Sequence, residues 1–281
     1  MGEERRTGDL VGAPQMHVSE TGDTFVDLAR RYNVGYVELM AANPGVDPWI
    51  PQSGHSLIIP TQQVLPDAPR KGVVLNLSSL RLYYFNPQGD WIGTWPIGFG
   101  RFGLTTPTGN TKIVSKRANP SWTPTQETRA DTPDLTTVVP PCPFNPLGKY
   151  ALDLGWKTYL IHGTNKPPGV GRRVSRGCVR MYPEDIVTLF QSATIGTQVS
   201  VVDQPALCGW LEGELFIEAH PSQRQIDEIE EKGSFTLEDV PGLSDRVADT
   251  AGDDIDRVFW STVEQAVLEW RGYPIQITQP R

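Results

Sequence analysis

The sequence predicts an α+β chain: a mainly-β middle domain, a curled sheet or sandwich, preceded by a small β-α-α-β module and followed by an α/β extension. Three observations carry this prediction. Between residues 15 and 60, two short helical periodicities sit between two short apolar segments. From 72 to 203 the apolar residues are β-branched and aromatic and are broken by turn residues. Beyond 204 the chain returns to acidic, helix-like patterning. A length of 281 residues suits about two domains and a small third.

Taken in order, residues 1–14 read as a tail. In 15–60, Phe25, Leu28, Ala29 and Tyr32 recur at helical spacing, and Thr24 or Asp23 would cap the first turn. A second helix around Tyr36–Ala42 stops before Asn43-Pro44-Gly45, and Met16–Val18 and Leu57–Ile59 can pair as strands. Residues 61–71, with two prolines and no periodicity, read as a linker. In 72–203 the strand signals are VVLNL, LRLYYF, WIGTWPIG, TKIVSKR, YALDLGW, TYLIHG and TQVSVV, with one helix, PEDIVTLFQSA. The stretch 118–146 is Pro-rich and too long for a tight connection, which marks it as functional or mobile. The extension 204–281 shows a strand (ELFIEAH), an acidic helix near 222–232 and a longer helix around 253–271. In that last helix Ile255, Phe259, Val263, Ala266, Val267 and Trp270 form one apolar face, and YPIQIT reads as a closing strand.

Charge narrows the function classes. The net charge is −8, which disfavours a nucleic-acid partner. Residues 204–281 hold 16 acids against 6 bases, leaving the first 203 residues slightly basic. Lys166, Arg172, Arg173, Arg176 and Arg180 make one positive locality that would draw an acidic small substrate. No apolar run approaches the ~20 residues of a membrane span. The charged start lacks the apolar stretch of a signal peptide, so either the protein is cytosolic or a targeting segment has been removed.

Chemistry concentrates in HGTNKPPGVGRRVSRGC, residues 162–178. Between 71 and 203 His162 is the one histidine, beside two cysteines, Cys142 and Cys178. Any Cys–His pair there must use His162, which ends the apolar strand TYLI, where side chains more often face a cleft than a core. Cys178 follows Gly177, a residue that lets backbone approach a ligand. The surrounding arginines favour thiolate over thiol. The bland alternatives are a small buried hydrophobe for Cys178 and a hydrogen-bonded sheet-end histidine for His162. Zinc-site spacing is absent, so neither metal nor cofactor is expected.

These segments resemble two families. GDTFVDLARRYNV, ELMAANP and LIIP resemble the LysM module, which binds N-acetylglucosamine-containing glycans; the alternative is a generic helical docking module. IHGTN followed by VSRGCVRMYPEDI resembles the catalytic domain of the YkuD-type L,D-transpeptidases, over about 72–203, supported by PIGFGRFGLTTPTGNTKI and NPLGKYALDLG. The resemblance implies Cys178 as nucleophile and His162 as general base, held by the carbonyl of Gly163. It also implies an oxyanion site from backbone N–H groups near Gly177 and Cys178, and contacts to substrate from Ser175, Arg176 and Arg180. Many members carry His where this chain has Arg176, which can act only by charge. The reaction implied is attack on a peptidoglycan stem tetrapeptide, release of D-alanine, and transfer of the acyl group to an amine. That amine belongs either to another stem peptide or to an outer-membrane lipoprotein. The compartment implied is the periplasm, with a signal segment already removed. A hydrolase of the same bonds and a non-catalytic peptidoglycan-binding protein are the competing readings. Cys142 and Cys208 either pair as a disulfide or are two unrelated thiols.

Overall fold

A computed structural model describes residues 8–132 and 134–279; the first seven residues of the expected tail lie outside them. The chain opens on β1 (Leu10–Val11) and β2 (Gln15–Val18), then α1 (Phe25–Arg31), α2 (Tyr36–Ala42), β3 (Ser56–Ile59) and β4 (Gln63–Val64). The expected β-α-α-β order is present, with β2 and β3 paired antiparallel. Thr24 is the cap of α1, accepting the Asp27 N–H at 3.2 Å. Two strands were not anticipated. β1, inside the expected tail, pairs with β4, inside the expected linker, and both are buried. They are too short to show periodicity, and their pairing with each other is what makes them strands.

The middle of the chain supplies β5 (Gly72–Asn76), β6 (Arg81–Phe85), β7 (Trp91–Pro96), β8 (Phe99–Gly100) and β9 (Gly109–Ala118). There follow α3 (Gln126–Asp131), β10 (Tyr150–Leu154), β11 (Leu160–His162), β12 (Arg173–Ser175), β13 (Val179–Arg180), α4 (Asp185–Ser192) and β14 (Gln198–Val202). Eight strands form one sheet in the order β13-β11-β10-β9-β14-β5-β6-β7, while β12 and β8 pair separately. β5 and β6 are buried along their whole length, which explains their unbroken apolar runs. The sheet is mainly antiparallel; the exception that matters is β11 with β13, a parallel pair at one edge. The Pro-rich stretch is not all loop: Thr125 caps the short α3 by accepting the Thr128 N–H.

The tail adds β15 (Ala206–Leu211), β16 (Glu214–Ala219), α5 (Gln223–Lys232), α6 (Leu243–Ala251), α7 (Trp260–Glu269) and β17 (Ile275–Gln276). The helix expected over 253–271 is shorter. Val258 bridges Thr278 and the Phe259 N–H donates to the Ile277 carbonyl at 2.8 Å, so the backbone there is claimed by a sheet-like contact. Val263 and Ala266 are buried as expected, whereas Phe259 is largely exposed.

The chain divides into two compact units. One comprises residues 1–68, 76–79 and 203–281; the other comprises 69–75 and 80–202. In the first, Leu10, Val64 and Leu207 share a core with Leu211 and Phe216. The Glu218 carboxylate, fully buried, accepts the Val64 N–H and contacts His220 Nε2 at 2.5 Å. The N-terminal module and the C-terminal extension are therefore one folded body.

Candidate active site

The β11–β13 pair sets the geometry. Its register opposes Ile161 to Val179 and His162 to Arg180. Residues paired across a parallel ladder share a face, so His162 and Arg180 lie on one face, and Cys178 directly precedes β13. The parallel edge pair thus brings Arg180, two residues after Cys178, beside His162 across a connection that includes β12.

His162 is more enclosed than its strand-end position predicts: it is buried, at 4% exposure. Its Nδ1 lies 2.5 Å from the Gly163 carbonyl. A carbonyl accepts only, so Nδ1 carries the hydrogen and Nε2 keeps its lone pair. Burial, aided by the charge of Arg180, lowers the imidazole pKa to about 4. His162 is a neutral base at ordinary pH.

Cys178 corrects one expectation. The arginines were expected to lower its thiol pKa; the thiol is instead raised, because burial outweighs a backbone hydrogen bond at Leu160 and the charge of Arg180. Its Sγ–H points to the Thr158 carbonyl at 3.4 Å. The positive locality is also less available than its composition implies. Arg173 is buried with its guanidinium 5.5 Å from the Phe99 ring centre. Arg176 is ion-paired with Asp131. Among the arginines, it is the charge of Arg180 that acts on the thiol; its Nε is buried without a hydrogen-bond partner among the described residues.

The turn before Cys178 is built by Ser175. Its hydroxyl accepts the Gly177 N–H at 3.1 Å and donates to the Cys178 carbonyl at 2.6 Å. The Gly177 N–H, expected as an oxyanion donor, is therefore already engaged. Gly177 sits at φ +101°, and a Cβ there would stand 2.9 Å from Tyr159 Cε1 and 3.3 Å from the Thr105 carbonyl. Thr106 Oγ1 donates to the Gly177 carbonyl at 2.8 Å. Arg180 imposes a second such restriction, since a Cβ on Gly169 would stand 2.5 Å from its Nη1.

Sequence reasoning missed Asp131, Thr106 and Tyr159. The run LTTPTG carried a signal for Thr106, as a hydroxyl-rich turn; nothing local tied Asp131 or Tyr159 to the catalytic turn. The three cysteines are free, so Cys142 and Cys208 are not a disulfide. Among the described residues no group of three metal-ligating side chains is present.

The family described as YkuD, L,D-transpeptidase catalytic domain, matches residues 70–201. A relative from Escherichia coli K12 named "Probable L,D-transpeptidase YcfS" is 42% identical, over 83% of this chain and 73% of its own length. "Probable L,D-transpeptidase ErfK/SrfK" of the same strain is 37% identical over 93% of this chain and 84% of its own. "Probable L,D-transpeptidase YbiS" is 38% identical over 95% and 88%.

Proposed function

We propose, starting from the fact that the chain belongs to the L,D-transpeptidase family, that Cys178 and His162 carry out acyl transfer on peptidoglycan stem tetrapeptides as a neutral pair. The observation that supports this most directly is His162 itself: a buried imidazole whose Nδ1 is tied to the Gly163 carbonyl, leaving a basic Nε2 on β11, whose partner strand β13 begins directly after Cys178.

The Cys178 S–H proton passes to His162 Nε2 as sulfur attacks the carbonyl carbon of the third stem residue. The tetrahedral oxyanion is met by the Cys178 N–H and by the positive field of Arg180. The bond to the terminal D-alanine nitrogen breaks, and His162 returns its proton to that amine. The thioester is then attacked by an amine, with His162 again taking the proton, and the thiol is restored. Because burial disfavours a separated thiolate–imidazolium pair, the proton moves during attack rather than before it. Arg180, a cation short of partners beside the thiol, suits the terminal carboxylate of the donor peptide.

The acceptor amine belongs to a second stem peptide or to an outer-membrane lipoprotein, and residues 15–60, as a LysM module, hold the glycan; Trp49 and Ile50 are exposed on it. The periplasm is the compartment where that substrate is found. No helix among the described residues is long and apolar enough to cross a membrane.

The test is incubation with disaccharide-tetrapeptide, read by product mass. A cross-linked dimer with released D-alanine is expected. Tripeptide alone makes the protein a carboxypeptidase, and no change leaves a binding protein. His162→Ala is expected to lower turnover by about 10²–10⁴-fold, the ordinary worth of a positioned base. Near-normal turnover in that variant would remove His162 from the mechanism.

A further inference from the structure

Helix α3 ends on Asp131, and the Asp131 carboxylate is ion-paired with Arg176. Arg176 stands between Ser175 and Gly177 in the turn that presents Cys178. The Arg101 N–H donates to the Ser175 carbonyl at 3.0 Å, so Arg101 is tied to the same stretch of backbone, and its charge is a lesser influence on the same carboxylate. Arg176 thus holds an acid from a helix the chemistry does not otherwise use, with Arg101 anchored next to it.

The acid is not needed to form that helix. Thr125 closes one end of α3, and the Thr132 N–H, donating to the Thr128 carbonyl, closes the other. The Asp131 side chain is 57% exposed, and among the described residues it makes no hydrogen bond beyond Arg176. An exposed pair of this kind is weak and readily exchanged for another carboxylate. Guanidinium groups, by contrast, favour planar carboxylates by geometry as well as charge.

We infer that Arg101 and Arg176 form a subsite for a side-chain carboxylate of the stem peptide, and that Asp131 occupies it in the free protein as a tethered stand-in. This deepens the stem-peptide reading given above and rests on it. It also divides the labour among the arginines. Arg180, enclosed beside the thiol, takes the terminal carboxylate, while the rim pair reads a second acid away from the bond being cut. A ligand lacking that second acid does not displace Asp131.

The test uses the full chain carrying Cys178→Ala, which binds without turnover, titrated calorimetrically with two probes. One is disaccharide-tetrapeptide with its free side-chain carboxylate on the third residue; the other has that carboxylate amidated. Adding Asp131→Asn is expected to tighten binding of the acid form by up to about fivefold, the range an exposed ion pair allows. Binding of the amidated form should be unmoved. Adding Arg101→Gln and Arg176→Gln should erase the gain. Unchanged or weaker binding of the acid form by Asp131→Asn, or equal tightening of both probes, overturns the proposal. The product-mass experiment separates the two readings. If the wild-type chain releases no D-alanine while Asp131→Asn still tightens the acid form alone, the subsite stands and the transpeptidase reading falls.

Discussion

At Cys178 two influences oppose each other, and their balance decides how the proposed nucleophile would work. Burial raises the thiol, while the Leu160 backbone contact and Arg180 lower it; burial wins. At His162 burial and Arg180 act in the same direction, toward the neutral form. Alkylation of Cys178, followed by peptide mapping to separate it from the exposed Cys142, is therefore expected to be slow at pH 7 and to rise with a midpoint above that of a free thiol. A midpoint below ~8.5 would show a preformed thiolate and overturn the neutral-pair mechanism. The imidazole also makes stability depend on pH. Its folded pKa of about 4 lies below the ordinary ~6.5, so between these values the unfolded chain binds a proton that the folded one refuses. The contribution is present above ~6.5 and is lost as pH falls toward about 4, amounting to about 3 kcal/mol. His162→Gln should flatten that part of the stability–pH curve in chemical denaturation. At this scale the proposed pair could be nominated from the sequence, because HGT and SRGC bracket a loop with one histidine. The sign of the thiol shift was not legible, because counting nearby arginines does not reveal which of them are spent on Phe99 or Asp131.

Elements read well where periodicity is long and poorly where a strand exists only through its partners. β5, β6, β9 and β10 fall on their predicted segments. β8, β12 and β13 are two or three residues each and are defined by pairings across the chain, Arg173 to Phe99 and His162 to Arg180. These short pieces carry the site, which is why the motif was visible while its scaffold was not. The turn they hold can be tested at Gly177. Alanine there must adopt φ +101° and stand 2.9 Å from Tyr159 Cε1. Gly177→Ala is expected to cost about 1–3 kcal/mol of stability, and turnover on the order of 10²-fold as Cys178 is displaced. Gly103→Ala is the control, because Gly103 also has positive φ, +77°, but no atom lies within 4 Å of its added Cβ. It should lose about 1 kcal/mol and little turnover. Equal turnover losses in both variants would mean that conformational strain, not crowding at the catalytic turn, limits the reaction.

At the scale of the whole chain, composition marked the acidic extension and the N-terminal module as separate pieces, with a linker after the module. Their joining was hidden in two-residue strands and in single buried groups such as Glu218, 154 residues from the Val64 N–H it accepts. That join makes a prediction opposite to a tethered module. Removing residues 15–60 uncovers the surface of α5 that α2 packs against and takes away the fold that delivers β4 to β16. Gln63, fully buried, then loses the Glu38 carboxylate to which its amide donates at 3.0 Å, a cost of about 1–3 kcal/mol for each orphaned buried group. Trp270, almost fully buried at 1% exposure, reports on the extension. In the truncated chain its fluorescence should shift to the red and residues 204–281 should become sensitive to protease. The point variant Glu218→Ala should lower the denaturation midpoint in the same direction by a smaller amount. If the extension of the truncated chain keeps native protease resistance and native tryptophan emission, the two ends of the sequence fold independently, and the single body they form is an association rather than a requirement.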